Sequence, residues 1–171
     1  MDRGSIRLLP ARSLVVQHLQ TATAQELEAL ERVSAVTREE VTSDETRSEG
    51  KYDTRSTEAS YLARGQAWRI AAARQLNAWF QSLPDTLPTK DKRAHIGSLV
   101  AIQCESNEPP TIDVLFLAPV GGTRVDVGDL CVRVISPESP LGRVLIGLEE
   151  GDEFQFKRPA GKAEYTLLEV S

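Results

Sequence analysis

The sequence predicts an α+β protein: a long antiparallel helical hairpin followed by a small, mainly antiparallel sheet with one short helix. Three observations carry this reading. Two segments rich in Ala, Leu, Gln, Glu and Arg, 13–41 and 58–83, flank a short polar stretch, 42–57. Prolines at 84 and 88 stop the helical pattern. Beyond residue 96 the chain turns into short runs rich in Val, Ile, Leu and Phe, separated by turn residues.

In the first arm Leu27, Leu30, Ser34, Thr37 and Val41 recur in alternating steps of three and four. In the second, Ala59, Leu62, Gln66, Arg69, Ala73, Leu76, Phe80 and Leu83 do the same. That spacing places each set on one helix face and lets two helices pack side by side as a coiled coil. Trp68 and Trp79 are read as buried at the base of the hairpin or at the domain junction. The polar stretch between the arms becomes the tip, and it carries Asp44, Glu45, Glu49 and Asp53. Residues 1–83 thus form the hairpin, 84–95 a linker and 96–171 a second domain.

In the second domain, strands are expected at 97–103, 111–118, 129–135, 152–157 and 163–170, with turns at 107–110, 121–122 and 159–161. One helix interrupts them. Ser139 suits its N-cap, Pro140 its first position and Gly147 its stop. Leu141, Val144, Leu145 and Ile146 between them would cover one face of the sheet.

The chain has 171 residues, a net charge of −5, 40% hydrophobic and 26% charged residues. These values fit a globular protein with a real core, and the acidic balance argues against broad binding to nucleic-acid phosphates. The first residues carry no apolar run long enough for a secretory signal or a membrane span. Cys104 and Cys131 sit in apolar, strand-like runs without a CxxC pattern or a nearby His pair, which reads as two buried, reduced thiols in a cytoplasmic protein. His18 and His95 are isolated and read as surface residues.

Residues 135–147 (ISPESPLGRVLIG), the following Gly151-Asp152-Glu153, and Pro159-Ala160-Gly161 with Glu164-Tyr165 resemble the C-terminal domain of the bacterial Gre factors, GreA and GreB. The resemblance spans roughly residues 97–170. It implies an FKBP-like C-terminal fold and a monomeric transcription elongation factor. In that family the C-terminal domain docks on the rim of RNA polymerase, and the hairpin enters its secondary channel. Tip carboxylates there help the polymerase-bound metal cleave a backtracked transcript.

By this resemblance Glu138, Ser139, Pro140 and Leu141 form the partner-binding segment. Asp44, Glu45 and Glu49 assist the polymerase's metal, with Asp44 and Glu45 as ligands of a shared Mg. The isolated chain would bind no cofactor and would not be an enzyme alone; it would stimulate the polymerase's own nuclease activity. No sequence-specific nucleic acid and no membrane are implied.

The family tip reads D-L-K-E-N-A-E-Y. Aligned on Tyr52, Glu45 takes its first acidic position and Ser48 its second, with Arg47 as the basic residue between and Asp44 and Glu49 one residue away. Two outcomes follow: stimulated cleavage, or occupation of the channel that inhibits or tunes the polymerase. The FKBP-like fold also raises a peptidyl-prolyl isomerase, whose pocket would have to be lined by Phe116, Phe154, Phe156 and Tyr165. A further rival is an adaptor whose hairpin serves another partner.

Overall fold

A computed structural model describes residues 8–45, 53–83, 92–159 and 161–171, with the backbone alone at 37–45 and 53–59. Its elements run α1 (Arg12–Glu45), α2 (Asp53–Ser82), β1 (Leu99–Cys104), β2 (Thr111–Leu117), β3 (Arg124–Val127), β4 (Leu130–Ile135), α3 (Pro140–Leu145), β5 (Glu153–Arg158) and β6 (Gly161–Val170).

α1 and α2 pack against each other as a hairpin. Thr23 and Leu19 are buried, Leu27 and Leu30 half-buried, and Ser34 buried on the α1 side of the seam. α2 answers with Gln66, Ile70, Ala73, Leu76 and Phe80. Leu62 and Arg69, expected in the seam, are exposed; Ile70 takes part instead. Thr37, Val41 and Ala59 have side chains outside the described set. Few large apolar groups line the seam, so polar links hold register: Gln20 Nε2 donates to the Phe80 carbonyl at 2.9 Å, and Arg74 reaches Glu31 at 2.6 Å.

The six strands form one sheet in the order β3-β4-β2-β1-β6-β5. Four of its pairings are antiparallel, as expected, and β2 pairs β4 in parallel. β3 is an addition to the expected strands. It is four residues long and joins β4 through Gly128-Asp129, with Gly128 at φ 62°. That two-residue loop of Gly and Asp is a hairpin signal in the sequence. Ordinary strand patterning is too weak to show over four residues.

Both faces of the sheet are covered. On one face Leu99, Ala101, Val114, Phe116, Val132 and Val134 pack against the hairpin base, namely Val15, Val16, Leu19, Leu76 and Phe80. Phe80 and Phe116 have ring centroids 5.5 Å apart, and Trp79 meets both edge-on at 5.1 and 6.2 Å. Arg12 lies over the Phe116 ring at 5.7 Å while its guanidinium donates to the Gly97 carbonyl; burial lowers its pKa. The Glu169 carboxylate accepts the Leu8 and Leu9 N–H groups. On the other face Val100, Ile102, Leu115, Leu117, Phe154, Tyr165 and Leu167 pack with Leu145.

Three expectations change. Trp68, at mid-helix in α2, is 76% exposed. Cys131 is exposed, since β4 buries Val132 and Val134 and turns the alternate residues outward; Cys104 is buried, and both thiols are free. Ile146 caps the C-terminus of α3 and is 38% exposed, leaving Leu145 as the buried anchor with Leu141 and Val144 half-buried. The segment expected as a linker, 84–95, is tied down at its end. Arg93 bridges Glu149, and Ala94 donates to the Leu148 carbonyl at 2.8 Å. Residues 84–91 lie outside the described residues.

Phe80→Ala should cost about 3–5 kcal/mol in a urea melt, because it removes the ring joining hairpin to sheet. Trp68→Ala should stay within about 0.5 kcal/mol, as expected for an exposed residue. Equal costs for the two would contradict the described base.

Candidate functional site

β4 ends at Ile135, and the next seven residues make a rigid corner. The Ser139 hydroxyl donates to the Ser136 carbonyl at 2.7 Å and accepts the Gly142 N–H at 3.0 Å. It is the expected N-cap, and Pro140 occupies the start of α3 as expected. Gly142 is dictated by close packing: a Cβ there would lie 2.0 Å from the Ser136 carbonyl oxygen. Pro137 and Pro140 restrict the backbone further.

This corner presents Glu138 and Pro140 to solvent, while Ser139 is half-buried in its capping bonds and Leu141 half-buried against the core. The predicted partner segment 138–141 is therefore brought together, but its members differ. Glu138 and Pro140 offer surface, and Ser139 and Leu141 hold them in place. Arg143 and Ile146 follow Pro140 at steps of three and are both exposed. They extend the same outward face, so Ile146 lies outside the core expected for it. The spacing 140, 143, 146 was the available signal.

At the far end of the hairpin, Asp44 and Glu45 are the last two residues of α1, so the helix runs into the stretch expected as the polar break. α2 begins at Asp53. Glu49, with Arg47, Ser48, Lys51 and Tyr52, lies outside the described residues. With 34 residues, α1 is roughly 51 Å long at 1.5 Å per residue. The backbone thus carries adjacent carboxylate-bearing residues far from the sheet. Carboxylate oxygens are the donors that Mg prefers, and such sites commonly use one or two of them. Among the described residues, no group of three or more His, Cys, Asp or Glu could hold a metal.

The four rings weighed for an isomerase pocket fill the two cores. Phe116 is fully buried against the hairpin base, and Phe154 stacks on Tyr165 at 5.4 Å with Phe156 edge-on at 6.5 Å. Burial, with a hydrogen bond to Cys104, raises the Tyr165 pKa. His18 and His95 are exposed, as expected; the His95 ring meets the Ser98 hydroxyl at 2.9 Å. No described helix is long and apolar enough to cross a membrane.

The family model for "Transcription elongation factor, GreA/GreB, C-term" matches residues 89–171. The chain is 36% identical over 88 residues to the transcription elongation factor GreA of Psychrobacter cryohalolentis, covering 51% of this chain and 50% of that protein. It is 35% identical over 78 residues to GreA of Syntrophobacter fumaroxidans, covering 46% of each. The chain thus spans half or less of the length of these curated relatives. Among solved structures it is similar to the GreA factor homolog 1 (Gfh1) protein of Thermus thermophilus, at 16% identity and a TM-score of 0.37 over 90% of this chain and 95% of that one. Residues 89–171 are thus similar in sequence to the C-terminal domain of the transcription elongation factors GreA and GreB.

Proposed function

We propose that this chain binds RNA polymerase as a single copy and stimulates cleavage of backtracked transcripts. The observation that carries the reading is the match of residues 89–171 to the GreA/GreB C-terminal domain. In this reading the corner at 138–141, with Arg143 and Ile146 beside it, docks on the polymerase rim. The hairpin enters the secondary channel and brings Asp44, Glu45 and Glu49 to the polymerase's active site.

The chain's own part in the chemistry is positional. Two long helices carry carboxylates to a place where the polymerase already holds a Mg ion and the transcript. A Mg ion there supplies Lewis-acid stabilisation of phosphate charge. Asp44 and Glu45 would contribute oxygen ligands, and Glu49 would orient water beside them. The isolated chain holds no complete octahedral shell in this reading, and it is not an enzyme by itself.

A second reading has a specific observation behind it. Ser48 stands where the family tip carries its second acid, and a hydroxyl hydrogen-bonds water without bringing negative charge. The chain would then occupy the channel and modulate polymerase without strong cleavage. A cleavage assay on a stalled, backtracked elongation complex, with and without the protein, separates the two readings. Failure to bind core polymerase in a pull-down would overturn both.

Glu138→Arg should weaken polymerase binding roughly five-fold at low salt, on the scale of an exposed ion pair. The loss should appear in the association rate and fade as salt rises. Unchanged affinity across ionic strengths would remove Glu138 from the interface.

Ser48→Glu should raise cleavage about ten-fold, equivalent to roughly 1.4 kcal/mol of transition-state stabilisation, with little change in binding. Glu45→Ala should lower it. If Ser48→Glu instead reduces a strong wild-type activity, Asp44 or Glu49 supplies the second carboxylate. Calorimetry of the free protein with Mg should show no tight site.

A further inference from the structure

The middle of α2 presents an aromatic and basic face whose rings are exposed among the described residues. Tyr61, Gly65, Trp68 and Ala72 recur at steps of four, three and four, and so share one helix face. Tyr61 is 69% exposed and Trp68 76%. Arg64 and Arg69 flank Trp68, and neither has an ion-pair partner among the described residues. Arg74, farther down the same helix, is paired with Glu31. From Ser60 to Ser82 the helix contains no acid, although the chain as a whole is at −5.

Gly65 is a second, independent sign. A Cβ built there meets nothing within 4 Å, so the chain's own packing does not require glycine. In a helix interior glycine weakens the helix. What it provides here is open backbone between two exposed rings, room for another molecule to approach closely.

Beside Trp68 a groove of about 300 Å³ runs between the hairpin and the loop joining β2 to β3. Leu30, Leu76 and Val120 give it an apolar lining, and Gly121 and Gly122 form part of its wall. The Glu26 carboxylate, also in the lining, accepts the Thr123 hydroxyl at 3.2 Å.

We propose that this face docks an acidic protein segment carrying an apolar anchor. The anchor enters the groove beside Trp68, and flanking carboxylates pair with Arg64 and Arg69. Charge complementarity selects the acid, and the apolar lining selects a side chain to bury. A nucleic-acid strand fits less well. Its phosphates would find Glu26 in the groove, whereas that carboxylate can accept a peptide N–H. Exposed aromatic and Arg side chains are the types that dominate protein interfaces once covered. The site uses none of the residues assigned to the rim or the tip, so it stands or falls separately from the proposed function.

The test uses the full chain labelled with nitrogen-15 and a short synthetic peptide of aspartates around a central Leu-Phe pair. Titration should shift the Trp68 indole signal and the Gly121 and Gly122 amides saturably. Trp68→Ala, and Arg64→Glu with Arg69→Glu, should each weaken binding on the order of ten-fold. Gly65→Gln should weaken binding while raising the thermal midpoint, a pairing that a purely structural role for Gly65 would not give. The proposal is overturned if the Trp68 signal does not move. It is equally overturned if the same peptide with lysines binds as well, or if oligouridine binds more tightly than the acidic peptide.

Discussion

A sheet whose central strands are apolar on both faces needs two covers, and this requirement organises the chain. β1 reads Leu-Val-Ala-Ile-Gln-Cys and is buried along nearly its whole length. One cover is the short α3 with Leu145 beneath it; the other is the base of the hairpin. Phe80 and Phe116 meet at that second contact. The hairpin is therefore part of the sheet's own core at one end and free of it along the rest. The same contact that completes the fold fixes where the projection starts.

Much of this was readable from local patterns. Steps of three and four gave the two helices, and Leu27, Leu30, Ser34, Leu76 and Phe80 do lie along the seam or base. Ser139, Pro140 and Gly147 marked α3 because a cap is a local bond, closed within three residues. Alternation also held information that the composition of the runs obscured. Cys131 and Arg133 share one strand face, and Arg133 pairs with Asp113 at the surface. Cys131 belongs there, outside.

What stayed hidden depends on partners distant in sequence. The parallel pairing of β2 with β4 leaves no local trace, because either strand would look the same with another neighbour. Trp68 looked buried because large aromatic groups usually are. Its exposure depends on what packs around the middle of α2, which no single window reveals. The candidate site divides along the same line. The corner at 138–141 was legible because its own hydrogen bonds build it. Any role of Asp44, Glu45 and Glu49 is not legible in this way, because a carboxylate acquires one only from what it meets.

The hairpin's length gives the anchoring at its base a further meaning. A rod of roughly 51 Å converts angle into displacement, so a tilt of about 5° at the base would swing the tip by roughly 4 Å. Carboxylate–metal distances tolerate only a few tenths of an ångström. If the tip serves a metal as proposed, Arg12 on Gly97, Glu169 on the Leu8 and Leu9 amides, and the wedge of Phe80 would set its aim. Substitutions there would then act by leverage, shifting the end of α1 while leaving its residues intact.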